Sequence, residues 1–148
     1  MLIRPLKQED FDLVLDMMRV FYASEALLVH PDEVVLRKTL TDAISGSPYL
    51  EAFGFEEDGI LTGYGMVAMS YSTEAGGLCA WIEDIYIEPA YRGMGFGSRF
   101  LDFVWQRYRD RVVRIRLEAE PENERAMAVY RKAGFEILGY TQLVRELG

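Results

Sequence analysis

The chain has 148 residues, of which 50% are hydrophobic, and it carries a formal net charge of -8 at pH 7. This length suits one domain around one sizeable core, residues 1–148, and the apolar content excludes disorder of the whole chain. The acidic balance disfavours a broad electrostatic surface for nucleic acid phosphates and suits a cationic partner, although acidity also serves solubility alone.

The residues that many enzyme and metal sites require are scarce. The single cysteine, Cys79, excludes an internal disulfide and a zinc site built from several thiolates, and it favours a reducing compartment. The single histidine, His30, precedes a proline and is predicted in a loop, which leaves no serine triad or histidine metal site. Residues 1–10 lack a signal pattern, and no apolar run has membrane-spanning length. We therefore expect a cytoplasmic protein with no membrane or nucleic acid partner and no metal.

The first half of the chain predicts a strand, two helices and a hairpin. A short strand over residues 2–4 precedes apolar residues at three- and four-residue steps over residues 11–22, which is the spacing of one helix face. Pro31 and the two acids after it favour the start of a second helix, which runs to residue 43 or 44. Residues 49–56 and 63–71 predict two strands, and the turn between them contains Gly59.

The second half predicts a strand, a helix, a strand and a helix. Aromatic and β-branched residues predict a strand over residues 81–87, and helical spacing returns over residues 97–108. Residues 112–118 alternate apolar and charged side chains, as a strand does. Asn123 is placed to cap a last helix, and Gly134 is placed to end it in a left-handed turn.

Two short strands close the predicted order, over residues 135–138 and 141–147. The chain contains no internal repeat and no low-complexity linker. Strands and helices in this order predict a mixed α/β or α+β sheet with helices on its faces.

The glycine-rich segment that follows residues 81–87 carries the strongest chemical signal. Gly93, Gly95 and Gly97 occupy every second position and lead directly into the predicted helix. Glycine permits unusual backbone angles and close approach of a ligand, and a helix N-terminus adds partial positive charge. Several N–H groups can therefore point at one phosphate or pyrophosphate. Arg92 at the edge of this loop is placed to add a charge-assisted contact.

Two familiar phosphate-binding loops do not fit this segment. The P-loop of ATPases requires a lysine after its last glycine, and none follows Gly97. The dinucleotide-binding loop requires the spacing Gly-x-Gly-x-x-Gly at the start of a βαβ unit, which differs from the spacing here. A tight turn without a ligand is the alternative that the glycine spacing alone leaves open.

The wider pattern resembles the GNAT superfamily of acetyl-CoA-dependent N-acetyltransferases. Residues 92–97, RGMGFG, match the central signature Gln/Arg-x-x-Gly-x-Gly/Ala, and residues 123–135, NERAMAVYRKAGF, match Asn-x-x-Ala-x-x-x-Tyr-x-x-x-Gly-Phe about 30 residues later. The resemblance implies a single GNAT-like domain with a central mixed, mostly antiparallel twisted sheet of six to seven strands and helices on both faces. It also implies that pairing into a homodimer is common.

The resemblance implies where acetyl-CoA binds. Backbone N–H groups of residues 92–98 would hold the pyrophosphate, and the edge of the strand at residues 85–87 would pair with the pantetheine amides. Asn123 matches the position that meets the pantetheine arm, and Tyr130 matches a general acid for the departing thiolate. The implied donor-binding residues are Ile85, Tyr86, Ile87, Arg92, Gly93, Met94, Gly95, Phe96, Gly97, Ser98, Asn123 and Tyr130.

Transfer to an amine also requires a group that accepts the ammonium proton. Glu83 and Asp84 lie on the strand that would bind the donor, and alternation along a strand predicts that they face opposite sides. The WIEDIYI run most resembles the corresponding strand of polyamine and diamine acetyltransferases, in which the glutamate lies near the amine. We expect Glu83 to be the base, with Asp84 as the alternative. Pairing of Glu83 with Arg114 or Arg116 on a neighbouring strand is the structural alternative.

The sequence therefore predicts an enzyme that moves acetyl from acetyl-CoA to a primary amine by direct attack in a ternary complex. The acidic charge and the two adjacent carboxylates favour a small cationic amine. Protein N-termini, protein lysines and aminoglycosides are alternative acceptors. A coenzyme A-binding sensor without acetyl transfer and a structural domain without a ligand are the alternative functions.

Overall fold

A five-stranded sheet forms the centre of the computed structural model, which describes residues 1–148. Its strands are β1 (Leu2–Pro5), β2 (Leu50–Glu57), β3 (Ile60–Ser72), β4 (Gly77–Ile87) and β5 (Arg114–Leu117). The α-helices are α1 (Phe11–Tyr22), α2 (Glu33–Ile44), α3 (Phe96–Tyr108) and α4 (Glu124–Lys132). Single turns of 3-10 helix lie at Gln8–Asp10 and Pro89–Tyr91. This order confirms the predicted elements as far as α4.

The strands lie in the order β1-β2-β3-β4-β5, and the first four are antiparallel to their neighbours. β5 is parallel to β4, so the sheet is mixed and mostly antiparallel, as predicted. The pairing between β4 and β5 runs from Cys79↔Arg114 to Ile82↔Leu117 and stops there. Residues 83–87 of β4 therefore have no neighbouring strand on that side.

Helices cover both faces of the sheet and divide the core into two clusters. Leu15 and Met18 of α1 and Leu40 of α2 pack against one face, which includes Tyr64 and Met66 of β3. Phe100, Leu101 and Val104 of α3 pack against the other face, and α4 contributes Val129 and Tyr130 to that side. Full burial of one such side chain contributes roughly 1.5–3 kcal/mol, so both clusters fix the sheet between the helices.

Local sequence explains where the helices begin. The side chain of Asp32 accepts the N–H of Val35 at 3.1 Å and caps α2, and the side chain of Asn123 caps α4 in the same way. Gly95 adopts a left-handed φ of 80° immediately before α3. None of these helices combines the length and the apolar character needed to cross a membrane.

A β-bulge interrupts the pairing between β3 and β4. Met66 lies opposite Asp84 and the next residue, Val67, lies opposite Ile82, so Glu83 is an extra residue on β4. Ile82 consequently packs on the α3 face, whereas Asp84 contacts tyrosines on the α1 face, although they are two residues apart. A bulge changes which face the following residues occupy. From Asp84 onward, the side chains of β4 therefore lie on the faces opposite to those that alternation from Ile82 predicts.

The predicted sheet of six to seven strands is wrong, because the structure has five. Residues 135–138 and 141–147, predicted as closing strands, form neither strand nor helix. Gly139, with a φ of 85°, breaks the extended backbone between them, and Leu143 and Val144 are adjacent apolar residues rather than alternating ones. Both of these side chains are exposed, so the segment has no continuous apolar face to place against the sheet.

Candidate active site

The glycine loop before α3 presents a run of free backbone donors. Gly93 and Gly95 have positive φ values of 79° and 80°. No backbone carbonyl of the chain accepts the N–H groups of residues 93–98, and the first bonded donor of the helix is the N–H of Arg99. Six consecutive donors at a helix N-terminus form an arrangement that binds an anion.

The space around this loop is open. A Cβ added at Gly95 would meet no atom within 4 Å, and one added at Gly97 would meet only Ile87 Cδ1 at 3.9 Å. The glycine at position 95 is therefore required by its backbone angle and not by crowding from the protein. A ligand can therefore approach the backbone of the loop directly.

Arg92 differs from the predicted arrangement. Its N–H donates to the carbonyl of Pro89 at 3.3 Å, so the free donors begin at Gly93. Its Nε donates to the carbonyl oxygen of Ile87 at 2.8 Å, and its guanidinium lies 5.6 Å from the ring centre of Tyr86. Arg92 therefore ties the loop to the end of β4.

The open edge of β4 lies directly before this loop. Tyr86 is buried toward α1 and α2, whereas Ile85 and Ile87 pack against the α3 side. Beyond the last pair, Ile82↔Leu117, the edge of residues 83–87 is unpaired. The predicted docking edge at residues 85–87 is thus open in the structure, and it is continuous with the glycine loop.

Asp84 is a buried carboxylate held by two tyrosines. Its side chain is 1% exposed, and it accepts hydrogen bonds from the hydroxyls of Tyr22 at 2.5 Å and Tyr64 at 2.8 Å. Burial raises the pKa of Asp84 to about 6, although the two tyrosine hydrogen bonds act in the opposite direction. Burial and the charge of Asp84 raise the pKa of both tyrosines, so their hydroxyls remain protonated donors.

Glu83 is the exposed partner of this carboxylate. Loss of hydration, followed by the charges of Asp84 and Glu118, raises the pKa of Glu83. The charges of both Asp84 and Glu83 also raise the pKa of Tyr22. The bulge at Glu83 interrupts the strict alternation on which the prediction of opposite faces rests, since Ile82 and Asp84 lie on different faces of the sheet.

The alternative in which Glu83 pairs with Arg114 or Arg116 does not occur in the structure. Arg114 forms a salt bridge with Glu74 at 3.0 Å, and the guanidinium of Arg116 lies 4.2 Å from the ring centre of Trp81. Neither arginine pairs with Glu83. The exposed carboxylate is therefore available to an external cation.

Tyr130 and Asn123 lie on α4, beyond the open edge of β4. Tyr130 is half-buried and its ring packs against Phe135 at a centroid distance of 6.3 Å. Burial raises the pKa of Tyr130, so its hydroxyl holds a proton at neutral pH. Asn123 Oδ1 accepts the N–H of Ala126 at 3.3 Å, which leaves its amide N–H groups for a ligand.

A prominent cavity of the structure does not contain the glycine loop. It has a volume of about 1180 Å³ and lies between β5, α3, α4 and residues 133–142, and Tyr130 is part of its lining. Residues 92–98 lie outside it. The chemistry of the loop and of β4 therefore locates the candidate site better than cavity size does.

Sequence reasoning missed the roles of Tyr22 and Tyr64. Tyr22 lies on the apolar stripe predicted over residues 11–22, and Tyr64 lies in the strand predicted over residues 63–71. The available signal was an aspartate in an otherwise apolar strand, because a buried carboxylate requires hydrogen-bond donors. The sequence does not show which tyrosines supply them, since Tyr22 is 62 residues away from Asp84 along the chain.

Comparisons with known proteins decide the family. The model of the acetyltransferase (GNAT) family matches residues 15–135. The chain belongs to the GNAT family. The matched range includes the signatures at residues 92–97 and 123–135, and the chain is an acetyl-CoA-dependent N-acetyltransferase.

Individual relatives agree with this assignment. The chain is 32% identical over 148 aligned residues to the thialysine N-epsilon-acetyltransferase of Bos taurus, and the match covers 93% of this chain and 85% of the relative. A possible acetyltransferase from Clostridium difficile 630 has a TM-score of 0.85 at 20% identity, covering 99% and 97% of the two chains. AAC(6')-Iy in complex with a bisubstrate analogue of coenzyme A and acetylneamine has a TM-score of 0.76 at 17% identity, covering 99% and 97%.

Proposed function

We propose that this GNAT enzyme transfers acetyl from acetyl-CoA to the primary amine of a small cationic molecule by direct attack in a ternary complex. The observation that carries the proposal is the pair of adjacent carboxylates, Glu83 and Asp84, in the part of β4 whose edge is unpaired. This edge runs into the glycine loop, so the acids and the donor site belong to one continuous surface. The similarity to an enzyme named for acetylation of thialysine supports the choice of a cationic amine.

The donor site combines three groups of residues. The free N–H groups of residues 93–98 hold the pyrophosphate, and the edge of residues 85–87 pairs with the pantetheine amides. The amide of Asn123 binds the pantetheine arm from α4. Arg92 supports this site by fixing the loop to Ile87.

Glu83 accepts the proton of the incoming ammonium. It is exposed and carries no salt bridge, whereas Asp84 is buried and engaged by two tyrosine hydroxyls. The raised pKa of Glu83 brings it closer to that of the amine and improves it as a base. Asp84 contributes negative charge behind Glu83, which favours a cation at the site.

The transfer itself exchanges one bond for another. The neutral amine nitrogen attacks the thioester carbon, forming the C–N bond, and the resulting tetrahedral species collapses with cleavage of the C–S bond. Glu83 takes one proton of the ammonium before the attack, and the departing thiolate takes a proton from the hydroxyl of Tyr130. The second proton, lost by the nitrogen as the amide forms, restores the hydroxyl of Tyr130, so the one net proton is that on Glu83, which passes to water. Burial keeps this hydroxyl protonated at neutral pH, as an acid in this position requires.

A second acidic surface favours a cationic acceptor. A cavity of about 370 Å³ lies beside Asn123, and its lining includes Glu25 from the segment between α1 and α2 together with Glu120 and Glu122. No basic residue lines it. A positively charged substrate is attracted to such a surface, and an acidic peptide is repelled.

The remaining expectations extend the proposal. We propose a single acetyltransferase domain over residues 1–148, in the cytoplasm, and a homodimer as the assembly. The single buried thiol of Cys79 supports a reducing compartment.

The test is release of coenzyme A thiol from acetyl-CoA with a panel of acceptors. The panel contains aliphatic diamines and polyamines, lysine and thialysine, an aminoglycoside, and peptides with a free N-terminus or an internal lysine. We expect turnover with the small cationic amines and a large loss in Glu83→Gln, with Glu57→Gln on β2 as the matched control. Turnover confined to peptides would contradict the acceptor class. If none of the acceptors in the panel led to release of coenzyme A thiol, the proposed transfer would be overturned.

A further inference from the structure

Arg125 lies beside the glycine loop although it belongs to α4. Its Nη2 is 3.8 Å from the position that a Cβ on Gly93 would occupy. Gly93 is the first residue of the run whose N–H groups are free. The guanidinium therefore reaches across from α4 to the loop at the N-terminus of α3.

This guanidinium has no partner within the chain. Arg125 forms none of the salt bridges of the structure, in contrast to Arg19, Arg107 and Arg114, which each pair with a carboxylate. Arg92, the arginine of the loop itself, is engaged with the carbonyl of Ile87. Arg125 therefore brings to the loop a positive charge that has no carboxylate partner in the chain.

A cation at this position offsets the electrostatic repulsion between the acidic protein and the anionic donor. The protein carries a net charge of -8, whereas the donor is a polyanion that such a protein repels at long range. The helix N-terminus contributes only about half an elementary charge, spread over its free N–H groups. A guanidinium adds a full charge and a planar fork of donors that matches phosphate oxygens.

We propose that Arg125 binds the pyrophosphate of acetyl-CoA from the α4 side, opposite the N–H groups of residues 93–98. The proposal rests on the proposed function, since it presumes that the loop holds this pyrophosphate. Arg125 then links α4 to the loop when the donor is bound. The same helix carries Tyr130, so the contact also sets the position of the proposed acid relative to the thioester.

Binding measurements with truncated donors identify the group that Arg125 contacts. Calorimetry with acetyl-CoA, its dephospho form, which lacks the 3'-phosphate, and S-acetylpantetheine, which lacks every phosphate, separates the contributions. We expect Arg125→Gln to weaken acetyl-CoA and the dephospho form equally, by about 10-fold or more, and to leave S-acetylpantetheine unchanged. Arg125→Lys retains the charge but not the fork, so an intermediate loss is expected.

The matched control is Arg109→Gln at the other end of α3, roughly 20 Å along the helix from Gly95. It removes the same charge and is expected to bind all three donors as the unmodified protein does. Equal affinity of Arg125→Gln and the unmodified protein for acetyl-CoA would overturn the inference, as would a loss seen with acetyl-CoA but not with the dephospho form. Failure of the unmodified protein to bind any donor would instead overturn the proposed function.

Discussion

The buried carboxylate of Asp84 makes the stability of the protein depend on pH in a direction opposite to that of an ordinary salt-bridged acid. Its pKa rises from 3.8 to about 6 in the folded protein because burial penalises the charged form. The stabilising contribution is therefore complete only well below pH 3.8, where the group is neutral in both states, and it is lost as the pH rises from there through about 6. Ionised Asp84 in the native site costs stability.

The size of this effect follows from the pKa change. A rise of about two pH units corresponds to about 3 kcal/mol, at about 1.36 kcal/mol per unit. Asp84→Asn preserves the size of the side chain and removes the titration. The free energy of unfolding of the unmodified protein, minus that of Asp84→Asn, should fall by most of this amount between pH 4 and pH 8.

Urea unfolding at one-unit pH intervals measures this difference, and the subtraction cancels the titration of the other groups. Asp58→Asn in the exposed turn between β2 and β3 is the control for removal of a carboxylate outside the site. A flat difference for Asp84→Asn would refute the reasoning. A difference that rises with pH would place the folded pKa below the unfolded one and would refute it more strongly.

Three further substitutions test the site and the core. Tyr130→Phe should lower the turnover number by about 10²-fold or more while donor affinity, measured by calorimetry, stays within about twofold; equal losses in both would contradict an acid role. Gly95→Ala should lower the free energy of unfolding by about 1 kcal/mol and abolish donor binding. The control is Gly46→Ala, at a φ of 85° with nothing within 4 Å, which should lower the free energy of unfolding by a similar amount and leave donor binding unchanged. Gly65→Ala places a Cβ 2.3 Å from Phe100 Cζ, so chemical unfolding should show a loss of about 1–3 kcal/mol that Phe100→Leu partly restores; additive losses would contradict this contact.

The sequence was sufficient for features that depend on neighbouring residues. The apolar stripe of residues 11–22 matches α1 without a shift, because helical spacing is a local property. The cap at Asn123 and the turn at Gly95 were also predicted, since both depend on the chemistry of single residues. The two family signatures predicted where the donor binds.

Features that depend on pairing between distant segments were not predictable in this way. The bulge at Glu83 exists only in relation to β3, and it puts Asp84 on the face opposite to that of Ile82, which strict alternation does not predict. The approach of Arg125 to Gly93 depends on how α4 packs against the rest of the chain, and helix spacing alone gives no sign of it. The closing strands were over-predicted because an apolar composition does not guarantee a partner edge.

Thermal unfolding with and without acetyl-CoA tests the central claim most directly. A donor at about 100 times its dissociation constant stabilises the native state by roughly 2.7 kcal/mol, which corresponds to a rise in Tm of roughly 5–10 °C for a chain of this size. We expect this rise in the unmodified protein and its loss in Gly95→Glu. An unchanged Tm at millimolar acetyl-CoA would contradict the donor site, and with it the proposed transfer of acetyl to a cationic amine.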